Sequence, residues 1–356
     1  MAKTELMDGI DRRQVPTDRV AVNVLEHGAN GEAAAGGDVP VVFIHGNCSS
    51  SLFWQPTMQA LGAAGRASYA IDLRGFGDSE IAPVDATRGL RDFSDDVAAT
   101  LDALGVPRAH LVGWSMGGGV VQQLLIDRPD LVASLTLVAP VSPYGFGGTA
   151  ADGTLLTADG AGTGGGGAHP DFVALMGSKD LSAESPSSPR VVFRAVYVAS
   201  DYVDEHEDVW VESMVSTAVG PDNYPGDVRP SENWPNFAAG DRGVLNTMAP
   251  THCNLTAIVD GDAKPPILWI RGDADAIVSD TSSLDLNRLG ELGVIPGWPG
   301  ADVAPAQPMV SQTRDVLDRY RAAGGEYREV VLAGVGHSPH LEDPEAFRTA
   351  LLELIS

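Results

Sequence analysis

The chain has 356 residues, a formal net charge of −25 and 44% hydrophobic residues. That supplies a core for one large α/β domain with insertions or for two smaller domains, and it excludes global disorder. With lysine only at Lys3, Lys179 and Lys264, the acidic excess repels nucleic acid and anionic membranes, so neither is expected as a partner.

The opening segment, "MAKTELMDGIDRR", is charged throughout and lacks the apolar centre of a signal peptide. No apolar run approaches the length needed to cross a bilayer, so a soluble, cytoplasmic protein is expected. Two cysteines, Cys48 and Cys253, make no disulfide framework in a chain this long and read as buried free thiols.

In "DRVAVNVLEHG" (18–28), Val20, Val22 and Val24 alternate with other residues, as in a half-buried strand. "GANGEAAAGGD" (28–38) reads as a small-residue loop. "VPVVFIHG" (39–46) is almost continuously apolar, the mark of a strand covered on both faces. "SYAIDLRG", "AHLVGWS", "VASLTLVAP", "PPILWIRG" and "YREVVLAGVG" share that character.

Helical patterns lie between them. In "LRDFSDDVAATLDALG", Leu90, Phe93, Val97, Leu101 and Leu104 recur every three or four places, and Gly105 suits the C-terminal cap. "GGGVVQQLLIDRP", "SQTRDVLDRYRAAGG" and "DPEAFRTALLELI" supply three more. Strands alternating with helices predict a mainly parallel, doubly wound α/β sheet.

The alternation stops over 142–250, which is Gly-rich and then contains helix-like pieces, "HPDFVALMG", "PSSPRVVFRAVYVASDYV" and "HEDVWVESMVSTAVG". The reading is a core domain of residues 1–141 and 251–356, interrupted by a mostly helical cap insertion over 142–250. A second unusual stretch, 279–308, reads as a long ordered loop.

The chemistry centres on Gly113-Trp114-Ser115-Met116-Gly117, a G-x-S-x-G motif between a buried strand and a helix. Side chains two places either side of such a serine would collide in the tight turn, so glycine is required there. The serine is held in a strained conformation, with its hydroxyl exposed at the sheet edge. Downstream, "ILWIRGDADAIV" places Asp273 and Asp275 after one strand, and "GVGHSPHLEDP" places His337 after the next. In an open parallel sheet these loops converge on one crevice. There His337 would deprotonate Ser115, and one of the aspartates would orient the imidazole.

"FIHGN" (43–47), "DLRGFGDS" (72–79), "GWSMGG" (113–118), "RGDADAIV" (271–278) and "GVGHSPHLEDP" (334–344) together resemble the α/β-hydrolase superfamily, serine-nucleophile esterase and lactonase members with a large cap. The resemblance implies the α/β-hydrolase fold and puts the acid on Asp275, with Asp273 as runner-up. It implies oxyanion donors from the backbone N–H groups of Asn47 and Met116. It also implies a cofactor-free hydrolase that cleaves an ester or lactone of a hydrophobic small molecule.

Trp114, Trp234 and Phe237 are candidate substrate contacts. Trp234, Phe237, Phe172 and Tyr197 line an apolar pocket or belong to the insertion's own small core. His337-x-x-His340 has metal-ligand spacing, but only Glu342 and Asp343 stand nearby as further ligands, so His340 reads as structural and no metal is expected. His45, Asp72, Arg74 and Ser79 read as loop stabilisers. Carbon–carbon, amide and perhydrolase or haloperoxidase chemistry remain open on the same residues, as does a receptor or scaffold role. Oligomeric state is not legible.

Overall fold

A computed structural model describes residues 5–28 and 39–356. The loop expected over 28–38 falls, beyond Gly28, outside the described residues. Among the described residues, one sheet of eight strands organises the fold: β1 (Ile10–Pro16), β2 (Ala21–His27), β3 (Val41–Ile44), β4 (Ser68–Ile71), β5 (Ala109–Trp114), β6 (Val132–Val138), β7 (Ile267–Gly272) and β8 (Tyr327–Leu332). Their spatial order is β1-β2-β4-β3-β5-β6-β7-β8. The β1–β2 and β2–β4 pairs are antiparallel and the other neighbours parallel. This is the mainly parallel α/β class expected from the alternation.

Strand β1 was not foreseen. Only Ile10 and Val15 of "IDRRQVP" are buried, so an edge strand with four charged or amide side chains carries little apolar signal. The opposite edge corrects a second expectation. β8 was read as covered on both faces, but it has one sheet neighbour and is largely half-exposed. Glu329 on it pairs with Arg271 and Arg314. Its valines favour the strand without needing full burial.

Helices α1 (Gln55–Ala63), α2 (Arg91–Leu104) and α3 (Met116–Asp127) follow β3, β4 and β5. The predicted stripe of α2 is buried at Phe93, Val97 and Leu101. Fully burying one such side chain stabilises by roughly 1.5–3 kcal/mol. Gly105 ends the helix at φ 70°, the left-handed cap its sequence indicates.

Residues 142–250 add no strand to the eight-stranded sheet. They hold α4 (Pro170–Ser178), a short turn at Pro189–Val192 that widens over Phe193–Tyr197, and α5 (Glu207–Val215). Two small strand pairs follow. The helix-like stretch 186–203 is therefore mostly not one long helix: Val198 is already extended at φ −135°. The buried side chains of this segment do not form a separate core. Trp210 and Phe193 pack on Phe53, with ring centroids 5.1 and 6.3 Å away, and join the main cluster.

The 279–308 stretch, expected as a loop, carries a short helix at Leu286–Glu291 and is tied by polar contacts to the Gly-rich segment. Gln307 accepts from the Gly147 amide and donates to the Gly145 carbonyl. After it come α6 (Met309–Ala322) and α7 (Pro344–Leu354).

Candidate active site

Strand β5 runs straight into Ser115 and then α3. Ser115 has φ 56° and ψ −120°, a conformation that costs a residue with a Cβ roughly 1–3 kcal/mol. The surroundings enforce it. Its N–H donates to Val138 O at 2.9 Å, and its carbonyl accepts from Gly118 and Val141, both at 3.0 Å. A Cβ on Gly113 would lie 2.2 Å from Gly117 O, and one on Gly117 would lie 2.5 Å from both Ile44 O and His45 O. No side chain fits at either position. Met116 opens α3, so its N–H has no acceptor within the helix. The Asn47 amide has no acceptor among the described residues.

The two aspartates after β7 go different ways. Asp273 accepts the Gly334 N–H at 2.6 Å and closes the turn after β8. Asp275 is buried, and its Oδ2 lies 2.8 Å from Nδ1 of His337. Its Oδ1 accepts from Ile277 and Val278, at 2.7 and 3.0 Å. Against a carboxylate, Nδ1 is the donor nitrogen, which leaves the lone pair on Nε2.

His337 is held from both sides. The Trp114 indole donates to its carbonyl at 2.7 Å. Glu342 accepts the N–H groups of Gly336 at 2.9 Å and Ser338 at 3.0 Å, and that of Ala199 at 2.7 Å. Close approach matters here too: a Cβ on Gly272 would lie 1.8 Å from Val335 O. The structure thus brings Asp275 and His337 together and anchors them to the residue before Ser115. The Ser115 hydroxyl itself makes no hydrogen bond among the described residues.

His45 bonds the surrounding loops: Nδ1 lies 2.7 Å from Gly46 O, and Nε2 accepts the Leu73 N–H at 3.0 Å. Burial lowers its pKa below the ordinary imidazole value, although Asp72 opposes the shift. Asp72 accepts from the Ser51 and Asp78 amides and from the Asn23 side chain. Arg74 makes a two-point contact with Asp96, and the Ser79 hydroxyl donates to Asp72 O at 2.7 Å.

His340 sits fully buried among Trp54, Trp114 and Phe347, with ring centroids 4.3, 4.9 and 6.1 Å away. Neither ring nitrogen has a hydrogen-bond partner among the described residues. Burial, with His337 adding to it, pushes its pKa down to about 3. Both cysteines are free and buried, and burial pushes both thiols up, Cys253 to about 12.

Of the three candidate substrate contacts, Trp114 needs correction. Trp114 is fully buried and supports His337, so it offers no surface to a ligand. Trp234 donates to Pro296 O at 2.9 Å and covers Gly290, while Phe237 lies over Gly166. Both pack on loop residues and stay partly exposed. Phe172 packs edge-on against Tyr224. Tyr197 reaches the loop after β3: its hydroxyl donates to Asn47 O at 2.9 Å. The sequence reading missed that contact and the three amides on Glu342, because main-chain partners leave no pattern in the side chains.

Residues 39–160 match the family model of the alpha/beta hydrolase fold. The RutD protein of Variovorax paradoxus, named for carbamate hydrolysis, is 45% identical over 113 residues, 32% of this chain and 40% of that protein. Carboxylesterase YbfK of Bacillus subtilis is 31% identical over 108 residues, 30% of this chain and 36% of its own. The chain thus matches less than half the length of these curated relatives. The esterase RhEst1 of Rhodococcus sp. superposes with a TM-score of 0.58 at 19% identity, covering 98% of each chain. Carboxylesterase CesB (YbfK) of Bacillus subtilis gives 0.56 at 17% identity, over 97% of this chain and 91% of that one. At these identities the superpositions show the fold.

Proposed function

On a chain that has the α/β-hydrolase fold, we propose a serine hydrolase that cleaves a carboxylic ester or lactone of a hydrophobic small molecule. The observation that carries the reading is the buried Asp275–His337 pair at 2.8 Å, anchored through Trp114 to the strained Ser115 turn.

Nε2 of His337 takes the hydroxyl proton of Ser115 as Oγ attacks the substrate carbonyl. Asp275 holds the imidazole in the tautomer that makes this possible and stabilises the imidazolium that forms. The two N–H groups on the other oxygen of Asp275 keep the carboxylate from turning away. The Asn47 and Met116 amides receive the negative oxygen of the tetrahedral intermediate, each worth on the order of 3 kcal/mol in the transition state. His337 returns its proton to the leaving alkoxide. Water activated by the same nitrogen then releases the acid from Ser115. No step draws on a cofactor.

Residues 142–250 act as the cap over this crevice and select an uncharged, apolar substrate. The name of the RutD relative brings carbamates into the range to be assayed. A fluorophosphonate probe tests the reading: it labels the native chain on Ser115 and leaves Ser115→Ala unlabelled. A panel of short, long and cyclic esters, an amide and a carbamate then gives the substrate class. A folded native chain that takes no label and hydrolyses none of them is a scaffold, not an enzyme.

A further inference from the structure

The turn bearing the Asn47 amide is strained and is held from outside the sheet. Cys48 has φ 45°, a left-handed value that a residue with a Cβ keeps only when its neighbours enforce it. Two tyrosines of the 142–250 segment do so. The Tyr197 hydroxyl donates to Asn47 O at 2.9 Å, with Cys48 O at 3.5 Å. The Tyr224 side chain interacts with the Cys48 thiol. Burial pushes the Tyr197 phenol well above its ordinary value, so it remains a donor throughout the working pH range.

Tyr197 also reaches the other two loops of the site. Its main-chain carbonyl accepts from Ser338 Oγ at 2.7 Å, one residue beyond His337. Its ring meets those of Trp114 and His337 edge-on, at 5.8 and 6.2 Å. One residue thus touches the oxyanion loop, the residue before the nucleophile and the loop of the base.

Chain geometry says what the Asn47 contact controls. The loop is fixed behind by β3 and ahead by the Ser51 N–H on Asp72, at 2.7 Å. Between those anchors, a donor on Asn47 O sets the plane of the Asn47–Cys48 peptide. Without it, Cys48 can relax toward negative φ. With both ends fixed, the compensating rotation falls on the Gly46–Asn47 peptide, which carries the Asn47 N–H.

We propose that Tyr197 is a positioning residue, whose hydroxyl on Asn47 O keeps the Asn47 amide aimed at the oxyanion and so makes the cap part of the oxyanion hole. This rests on the serine-hydrolase reading above.

The test is Tyr197→Phe in the full chain, assayed with p-nitrophenyl acetate and titrated with phenylboronic acid. That acid becomes tetrahedral on the Ser115 oxygen and places an oxygen where the oxyanion forms. The expected result is a kcat lower by about ten- to a hundredfold with KM within about threefold, and a boronate Kd raised in parallel with the fall in kcat. Tyr202→Phe is the control. It removes another hydroxyl of the cap, one that donates to Asp204 Oδ2 at 2.6 Å, with Leu341 O at 3.2 Å, and does not reach the oxyanion loop, and it should leave both constants near native.

A native chain labelled by fluorophosphonate, with Tyr197→Phe unchanged in kcat and boronate affinity, overturns this inference alone. So does an equal loss in Tyr202→Phe, which would trace the effect to general packing. A native chain that takes no label overturns the hydrolase reading first, and this inference with it.

Discussion

The indole nitrogen of Trp114 donates to the carbonyl oxygen of His337 at 2.7 Å, across 223 positions of sequence. The residue before the proposed nucleophile therefore holds the backbone of the proposed base. Trp114→Phe keeps the ring packing against Phe53 and His340 but leaves a buried carbonyl without its donor. Leaving such a group unpaired costs about 1–3 kcal/mol. The expected outcome is a loss of that size in urea unfolding, with kcat reduced about tenfold or more because the imidazole is less well placed.

Asp275 and Asp273 stand two residues apart and should respond oppositely to the same change. In Asp275→Asn the amide can donate to Nδ1 and drive the proton onto Nε2, the wrong tautomer for a base. A loss of about 10³–10⁴-fold in kcat is expected. In Asp273→Asn the Gly334 amide loses only the charge of its acceptor. Stability falls by roughly 1 kcal/mol and kcat stays within about tenfold of native. Steady-state kinetics on the two variants checks the assignment.

Ser115 stores strain that its own removal releases. Ser115→Gly should be inactive yet more stable than Ser115→Ala by about 1 kcal/mol, because glycine adopts φ 56° without cost. Gly117→Ala should go the other way and lose about 3 kcal/mol or more, since its methyl would meet two main-chain oxygens at 2.5 Å. Thermal unfolding of the three variants ranks them.

His340 predicts a pH dependence of stability. Its folded pKa is about 3, below the ordinary value of about 6.5 for an unfolded histidine. The unfolded chain therefore takes up the proton first as the solution is acidified. The stabilisation is complete above pH ~6.5 and is lost as the pH falls toward 3, at about 1.4 kcal/mol per pH unit for this one group. His340→Phe should flatten the acid side of the profile by that slope. Denaturant midpoints from pH 7 down to 4.5 measure it.

The sheet was legible because its inner strands are apolar on both faces. β3 and β5 declare themselves in any reading of "VVFI" and "AHLVGW". The α2 stripe with Gly105 was legible for the same reason: burial imposes a period. Charged β1 and half-exposed β8 are edge strands, where solvent relaxes that pattern. Ser115, Asp275 and His337 could be picked out because each lies just past the C-terminal end of a sheet strand. The contacts of residues 142–250 could not. Tyr197 meets Asn47 across 150 positions, and nothing in "FRAVYVAS" distinguishes a ring that packs from a hydroxyl that holds another loop's carbonyl. Trp114 misled for the matching reason: aromatic side chains signal burial without saying against what.

The location of β8 at the rim of the sheet gives the two halves of the proposed relay unequal footing. Ser115 rides on β5, which is zipped to a strand on either side, whereas His337 leaves a strand zipped on one side only. Fraying on warming begins at such a rim. Hydrolysis should therefore fall silent some degrees below the cooperative melt, while the centre of the molecule is still intact, and return on cooling.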